Sequence, residues 1–497
     1  MCNSTGIESE GDVIMQNECA ENSAGIPGCV RQVTNLERAF LFTPGCNVSM
    51  VARIAGNVSE HELLRAMDTV RRIHPLIGAK IVFDERHNAW FSNDNVPVLP
   101  LRVTKMTSNT QWFEEIQYEQ RVPFELEKGP LIRFILLHSP EMSDLIVMCN
   151  HSICDGMALA NLVRDILIYY ADPERSITVL NPPDIMKLIP KKSVFSLSAI
   201  LTQLFVYNAN RKWKKSPHYF FQADYAAITR AYWEKMKCGA VLIELDTQES
   251  QIFLEKCRKE GVTVGSAVTA ACIAAHNDIL GPFTKNFKLV SVPFDLRRHA
   301  TTSVGDVFCL CVGAPSFPYT YDVKKTFWEN AAVLHQEVHK RVEKLDSAGL
   351  EVPGFEPSFI DAFACFGPMF KAIPEAYSQT DNLSRFAQDR KNVAFSFTHN
   401  NKNMTPGTIP SNLGKLNLQT TYGNLHLDRM VFLPAISEIV PLILGGIGAG
   451  GRIVFSLTFA EPIRNNSSSR EQDMIRIRNR ALEYIGFPEK VSERAIE

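Results

Sequence analysis

Apolar and polar positions divide the chain into recurring strand and helix signals. Residues 47–54 are rich in strand formers, and residues 79–83 form a second such run, ended by the turn-like Asp84-Glu85-Arg86-His87-Asn88. Between them Ser59 and Glu62 make an S-x-x-E capping signal; Leu63, Met67, Val70 and Ile73 recur at helical spacing, and Pro75 stops the helix. Residues 131–137 and 145–149 read as the arms of a hairpin. The second arm is a short continuous apolar run, as in a buried strand, and it stops abruptly at Asn150. Beyond it, Leu159, Leu162, Val163, Ile166 and Tyr170 share one helical face, so His151 and Asp155 lie on a loop between a core strand and an amphipathic helix.

The second half opens with the same order of elements. Residues 241–245 predict a strand, Asp246 and Glu249 a capped helix start, and Gly261 its end, which suggests two similar lobes. A small-residue helix over 265–280, a strand over 288–294 and a long helix over 323–344 follow. Residues 393–398 and 431–434 predict strands, with Ser411-Asn412-Leu413-Gly414 in the loop between them. A strand over 452–459 and a terminal helix capped by Ser468 and Glu471 complete the chain. The expected division is a polar tail (1–30), a first lobe (31–180), an interlobe linker with helices (181–232) and a second lobe (233–497). Within the linker, residues 194–208 are mostly apolar and flanked by Lys191-Lys192 and Arg211-Lys212-Trp213-Lys214-Lys215. The run is shorter than the ~20 residues a bilayer span needs. Packing across the lobes is expected; contact with a membrane surface, or with an acidic partner such as an acyl carrier protein, is the other use such a stretch has.

Composition changes this picture little. With 497 residues, 45% hydrophobic and 21% charged, the chain is long enough for two cores. A net charge of -2 supplies no overall field for nucleic acid. The twelve cysteines include no C-x-x-C pair, and Cys309 and Cys311 alternate with Leu310, so small buried thiols are expected. The N-terminal residues lack both the basic start and the apolar core of a signal peptide, and a cytoplasmic location is expected.

The chemistry centres on the strand-end loop. A histidine there can act as a general base near neutral pH. Asp155 can accept from its ring or turn away to pair with a cation, and Gly156 allows an unusual backbone angle or a close approach. Backbone N–H groups at the helix start can hold a developing oxyanion. Three other patterns fail on context. Gly446-Ile447-Gly448-Ala449-Gly450-Gly451 leads into a strand, so a hairpin turn is expected and not a phosphate loop. His335-Gln336-Glu337-Val338-His339 has glutamine where a zinc protease carries glutamate, so the exposed edge of a helix is expected and no metal. Ser152 has no nucleophile elbow around it.

His151-Ser152-Ile153-Cys154-Asp155-Gly156 between a strand and a helix resembles the H-x-x-x-D-G motif of the chloramphenicol acetyltransferase-like superfamily. Other pieces agree: Leu36-Glu37-Arg38, Arg71-Arg72-Ile73-His74-Pro75-Leu76, Asp295-Leu296-Arg297, Ser411-Asn412-Leu413-Gly414 and residues 451–459. The similarity covers about residues 31 to 462 and is to the condensation-domain and polyketide-associated acyltransferase branch, which includes alcohol acetyltransferases. Two departures stand out: Asn150 replaces the first of the usual pair of histidines, and the D-F-G-W-G signature of the plant branch is absent.

The resemblance implies an α/β fold of two lobes, each a mixed sheet with flanking helices, with an active-site channel between them. It implies that His151 deprotonates an acceptor attacking an acyl thioester, that Asp155 pairs with Arg297, and that Gly156 supports the loop turn and Asn412 positions the acyl group. Expected with it are acyl-coenzyme A or an acyl-phosphopantetheine carrier as co-substrate, no permanently bound cofactor, a small alcohol or amine acceptor and a monomeric state. Ester formation is the expected reaction because no carrier or adenylation module is present in the chain. Amide formation by a stand-alone condensation enzyme, and a non-catalytic scaffold retaining the fold, are the alternatives.

Overall fold

The computed structural model describes residues 26–190, 197–343, 354–400, 405–463 and 470–492. The fold is mixed α/β, with two six-stranded sheets and flanking helices. In the first sheet the order is Thr421–Tyr422, Leu425–Leu433, Asn47–Ala55, Met142–Asn150, Ile132–His138 and Leu101–Lys105. In the second it is Ser316–Pro318, Leu289–Ser291, Thr408–Lys415, Leu442–Ala449, Arg452–Pro462 and Met236–Leu245. Each sheet is mainly antiparallel, with one parallel pairing in the first, between Leu101–Lys105 and Ile132–His138, and two in the second, where Thr408–Lys415 runs parallel to both Leu442–Ala449 and Leu289–Ser291.

The predicted hairpin forms: Ile132–His138 pairs antiparallel with Met142–Asn150, whose Leu145 to Cys149 are wholly buried. Burying each such side chain is worth about 1.5–3 kcal/mol, so the strand is a rigid mount for the loop that follows. Asp246 and Glu249 form the predicted reciprocal cap, at 2.9 and 2.7 Å. The glycine-rich stretch is the predicted hairpin, turning at Gly450 and Gly451 with φ of 60° and 80°. The terminal helix runs Arg470–Ile485; its expected cap, Ser468, lies outside the described residues.

Several elements differ from expectation. Residues 393–398 are not a strand: Val393–Asn400 is a helix, because it packs in a helical layer where Phe397 meets Phe363, Phe355 and Phe359, and packing overrides strand propensity. Ser411 to Gly414 is not a loop but part of the strand Thr408–Lys415. Its loop-like composition reflects a register irregularity between Asn412 and Lys415, with Gly414 at a φ of 75°. Cys29–Gln32 pairs with Ala89–Ser92, so the first strand begins inside the span expected to be tail, of which residues 1–25 lie outside the described residues.

The most consequential difference concerns the second lobe. Thr421–Tyr422 and Leu425–Leu433, expected in the second lobe by chain order, complete the first sheet, with Leu425–Leu433 antiparallel to Asn47–Ala55. The second half of the chain therefore reaches across and builds one edge of the first lobe, through ladder hydrogen bonds that no local pattern specifies. The apolar run of the linker also departs from its expected role. Leu197–Trp213 is a helix, but among the described side chains of residues 200–213 only Val206, Ala209 and Trp213 of the large or apolar ones are buried, against the helical layer and not across the two sheets.

Candidate functional site

The loop after Met142–Asn150 is shaped from both sides. His151 N–H donates to the Cys46 carbonyl at 3.1 Å, tying the loop to the start of the neighbouring strand. Asn150 is fully buried; its Nδ2 donates to the Leu41 carbonyl at 3.4 Å and its Oδ1 accepts from Ser152 N–H at 3.0 Å. The residue in place of a first histidine is thus a brace under the loop, turned away from the surface that His151 presents. Ser152 Oγ is buried without a partner among the described residues, and burial pushes the Cys154 thiol well up. Neither is placed to serve as a nucleophile.

His151 is half-buried, and its Nδ1 lies 2.7 Å from the Cys154 carbonyl. A carbonyl only accepts, so the proton sits on Nδ1 and the lone pair is on Nε2. The Phe40 ring covers the imidazole at 4.4 Å between centroids, tilted by 35°. Burial lowers the His151 pKa from its ordinary 6.5, against the opposing pull of the Cys154 carbonyl and Asp155, so the ring is neutral at physiological pH.

Asp155 does not bond the imidazole. Its Oδ1 accepts from Ala158 N–H at 2.8 Å, capping the helix Gly156–Ala171, and its Oδ2 accepts from Arg297 Nη1 at 2.9 Å and Cys311 N–H at 2.7 Å. Arg297 in turn donates to Asp295 Oδ1 at 3.0 Å and to the carbonyls of Val307 and Cys309 at 3.2 and 2.8 Å. Burial opposes the charge on Arg297, but Asp155, the nearby thiols and Asp295 outweigh it, and its pKa is raised well above its ordinary value. The Arg297 side chain is 7% exposed and that of Arg298 75%, which separates the buried partner from the solvated one. Leu296, Val307, Cys309 and Cys311 join the core of the first lobe, and Arg164 of the Gly156–Ala171 helix reaches Asp306 at 2.7 Å, so this junction is a packed seam. Cys309 and Cys311 are the buried thiols expected, though on an irregular segment and not a strand, with sulfurs 3.1 Å apart.

Gly156 answers a close approach. A Cβ there would come within 2.6 Å of Phe432 and 2.8 Å of Leu413, the former from the strand that crosses into the first sheet and the latter from the second sheet. The helix start is therefore pressed against both lobes. The N–H groups of Gly156 and Met157 fall in its first turn, where the helix itself offers no acceptor.

These residues open on a cavity of about 550 Å³ lined from both lobes, by Phe40, His151, Gly156, Met157 and Phe432 on one side and by Ser266, Asp295, Leu334, Val338, Ile409 and Asn412 on the other. Asn412 also lines an adjoining cavity of about 810 Å³, and its Oδ1 accepts from Gly414 N–H at 3.1 Å, so it stands where the two spaces meet. Arg297 lies behind the cavity wall. The sequence reading missed Phe40 and Phe432. Phe40 follows Leu36-Glu37-Arg38 in the helix Asn35–Leu41, capped reciprocally by Thr34 and Glu37, but nothing local marks it as the ring over His151. Of the two histidines expected on an exposed edge of Phe327–Glu343, His339 is exposed and pairs with Glu343 at 3.0 Å, whereas His335 is half-buried with its Nδ1 3.4 Å from Ser266 Oγ of the neighbouring helix; no metal-ligand cluster occurs among the described residues.

No protein-family model matches the chain, and no curated protein sequence does. Solved structures do. The trichothecene 15-O-acetyltransferase TRI3 of Fusarium sporotrichioides aligns at a TM-score of 0.59 and 11% identity, over 92% of this chain and 94% of that one. The first condensation domain of the calcium-dependent antibiotic synthetase aligns at 0.56 and 11% identity, over 94% and 99%. Polyketide synthase associated protein 5 of Mycobacterium tuberculosis aligns at 0.54 and 13% identity, over 92% and 99%. At such identities the likeness is one of fold, and it extends over nearly the whole chain.

Proposed function

From a chain with the two-lobed chloramphenicol acetyltransferase-like fold, we propose an acyltransferase that moves an acyl group from a thioester to a hydroxyl acceptor. The observation that carries it is a neutral imidazole whose Nε2 lone pair is left free beside a cavity walled by both lobes. His151 Nε2 takes the hydroxyl proton as the oxygen attacks the thioester carbonyl. Collapse of the tetrahedral intermediate breaks the carbon–sulfur bond, and the departing thiolate takes the proton from the imidazolium. The first-turn N–H groups of Gly156 and Met157, with Asn412 opposite, are the donors for the oxyanion. Holding both reactants in one cavity supplies proximity without an acyl-enzyme. Asp155 and Arg297 keep the loop and helix start in place.

A hydroxyl acceptor must lose its proton as it attacks, and that is the task of this base. Acyl-coenzyme A or an acyl-phosphopantetheine carrier is the donor of this scheme, used as a substrate.

Purified protein supplied with mixed acyl-coenzyme A donors, and with matched alcohols and amines, is expected to yield esters detectable by mass spectrometry. Amides in place of esters would assign the condensation reaction instead, and no product with any donor or acceptor would favour the scaffold. The pH dependence follows from the site. Because burial holds His151 below 6.5, log kcat/KM should be level through neutrality and fall with unit slope only below that value, as the base becomes protonated. An acid limb centred above 6.5 points to a different proton acceptor.

A further inference from the structure

We propose that the outward face of the Leu197–Trp213 helix docks the protein on an anionic lipid surface. Ile200, Leu201, Leu204, Phe205 and Tyr207 on this helix are 47, 59, 54, 51 and 64% exposed. Such a row of large apolar side chains on one helix is not the scattered exposure normal for a soluble surface. The orientation is locked from the inner side. Val206, Ala209 and Trp213 are buried, Trp213 Nε1 donates to Ser358 Oγ at 2.9 Å, and Asn210 Nδ2 donates to the Gly354 carbonyl at 2.9 Å. With about 100° per residue, those contacts turn Ile200, Leu201, Leu204 and Tyr207 toward solvent, while Phe205, at the edge of the strip, also rests its ring near Phe397 and Phe355, at 5.8 and 6.4 Å between centroids.

Basic groups continue the same ridges. Ile200, Leu204, Tyr207 and Arg211 follow one another at helical spacing, as do Leu201, Phe205 and Lys212. Arg211, Lys212 and Lys215 are exposed and make no ion pair among the described residues, whereas Lys214, on the flank, is held by Glu356 at 2.7 Å. The chain as a whole carries a net charge of -2, so this cluster is a local concentration and not part of a basic surface.

Apolar side chains followed by unpaired Arg and Lys on one face describe a helix lying in the headgroup plane, with rings and branched chains at the acyl boundary and cations on the phosphates. No helix among the described residues is long and apolar enough to cross a membrane, so the contact is peripheral. The helix rests on the body along one side and offers a convex strip. A fluid lipid surface accommodates such a strip without matching its shape, whereas a protein groove requires complementarity.

The test is co-sedimentation of the full chain with vesicles of phosphatidylcholine alone or mixed with phosphatidylserine. The wild type is expected to pellet with the mixed vesicles and to be released by high salt. Leu201→Ser with Leu204→Ser, and separately Arg211→Glu with Lys212→Glu, should each lower partitioning at least about tenfold while leaving the melting temperature unchanged. Failure of the wild type to pellet, or variants that pellet like it, overturns the proposal. So does a wild-type dimer that the Leu201→Ser, Leu204→Ser variant converts to monomer, because a second copy then covers this face. The result does not depend on the acyl-transfer reaction, since the readout is binding.

Discussion

His151→Ala is expected to lower kcat/KM for acyl transfer by at least about two orders of magnitude, the usual worth of a positioned general base. Unchanged melting should accompany the loss. Among the described residues the His151 side chain makes one hydrogen bond, to the Cys154 carbonyl, and one ring contact, with Phe40, and the loop is held by other groups: the His151 backbone on Cys46, Asn150 on Leu41 and Ser152, and Asp155 on Ala158 and Arg297. The measurement is steady-state turnover beside a thermal melt of the same preparation. Activity within tenfold of wild type would show that the imidazole is not the base, and lost activity with lost folding would mean that the side chain holds the loop.

Arg297→Ala has the opposite signature, in which stability and activity fall together. Removing one partner of a buried pair leaves the other charge uncompensated, typically at about 3–5 kcal/mol. Here the Arg297 and Asp155 side chains are 7% and 8% exposed, and the carbonyls of Val307 and Cys309 also lose their donor. Arg297→Lys should recover little, because one ammonium cannot reproduce a guanidinium fork that serves two carboxylates and two carbonyls. Asp155→Asn should also lower stability, since an amide oxygen that caps Ala158 N–H leaves the amide NH2 facing two donors, Arg297 Nη1 and Cys311 N–H. A double-mutant cycle in urea isolates the pair, and a coupling near zero would remove it as the tie between the lobes.

How much of this was legible beforehand depends on the range of the interaction involved. The buried strand, the loop with His151 and the helix behind it follow from local periodicity, and each forms where the pattern places it. The capped helix after Asp246 and the turn at Gly450-Gly451 are equally local. Residues 393–398 were misread because their alternation suits a strand, while the aromatic side chains that decide the matter, Phe355, Phe359 and Phe363, are far away in sequence. Ser411 to Gly414 was misread because a strand with a bulge uses the residues of a turn. For Asn150 the sequence marks only a departure; its two buried hydrogen bonds make it a support.

The sequence by itself determined where a base can stand: a histidine at the end of an apolar strand, followed by the aspartate and glycine that begin an amphipathic helix. Those are short-range consequences of which side chains avoid water and which backbone groups need capping. Arg297, 142 residues from Asp155, is marked in the sequence only through the family resemblance, and the structure has it pairing with Asp155 at that helix start; only the tertiary structure decided that Phe40 covers the imidazole and that a strand from the second half closes the first sheet. It also decided that the linker helix keeps its apolar ridge in solvent, because a helix can bury only the face its neighbours reach, and here that face is Val206, Ala209 and Trp213.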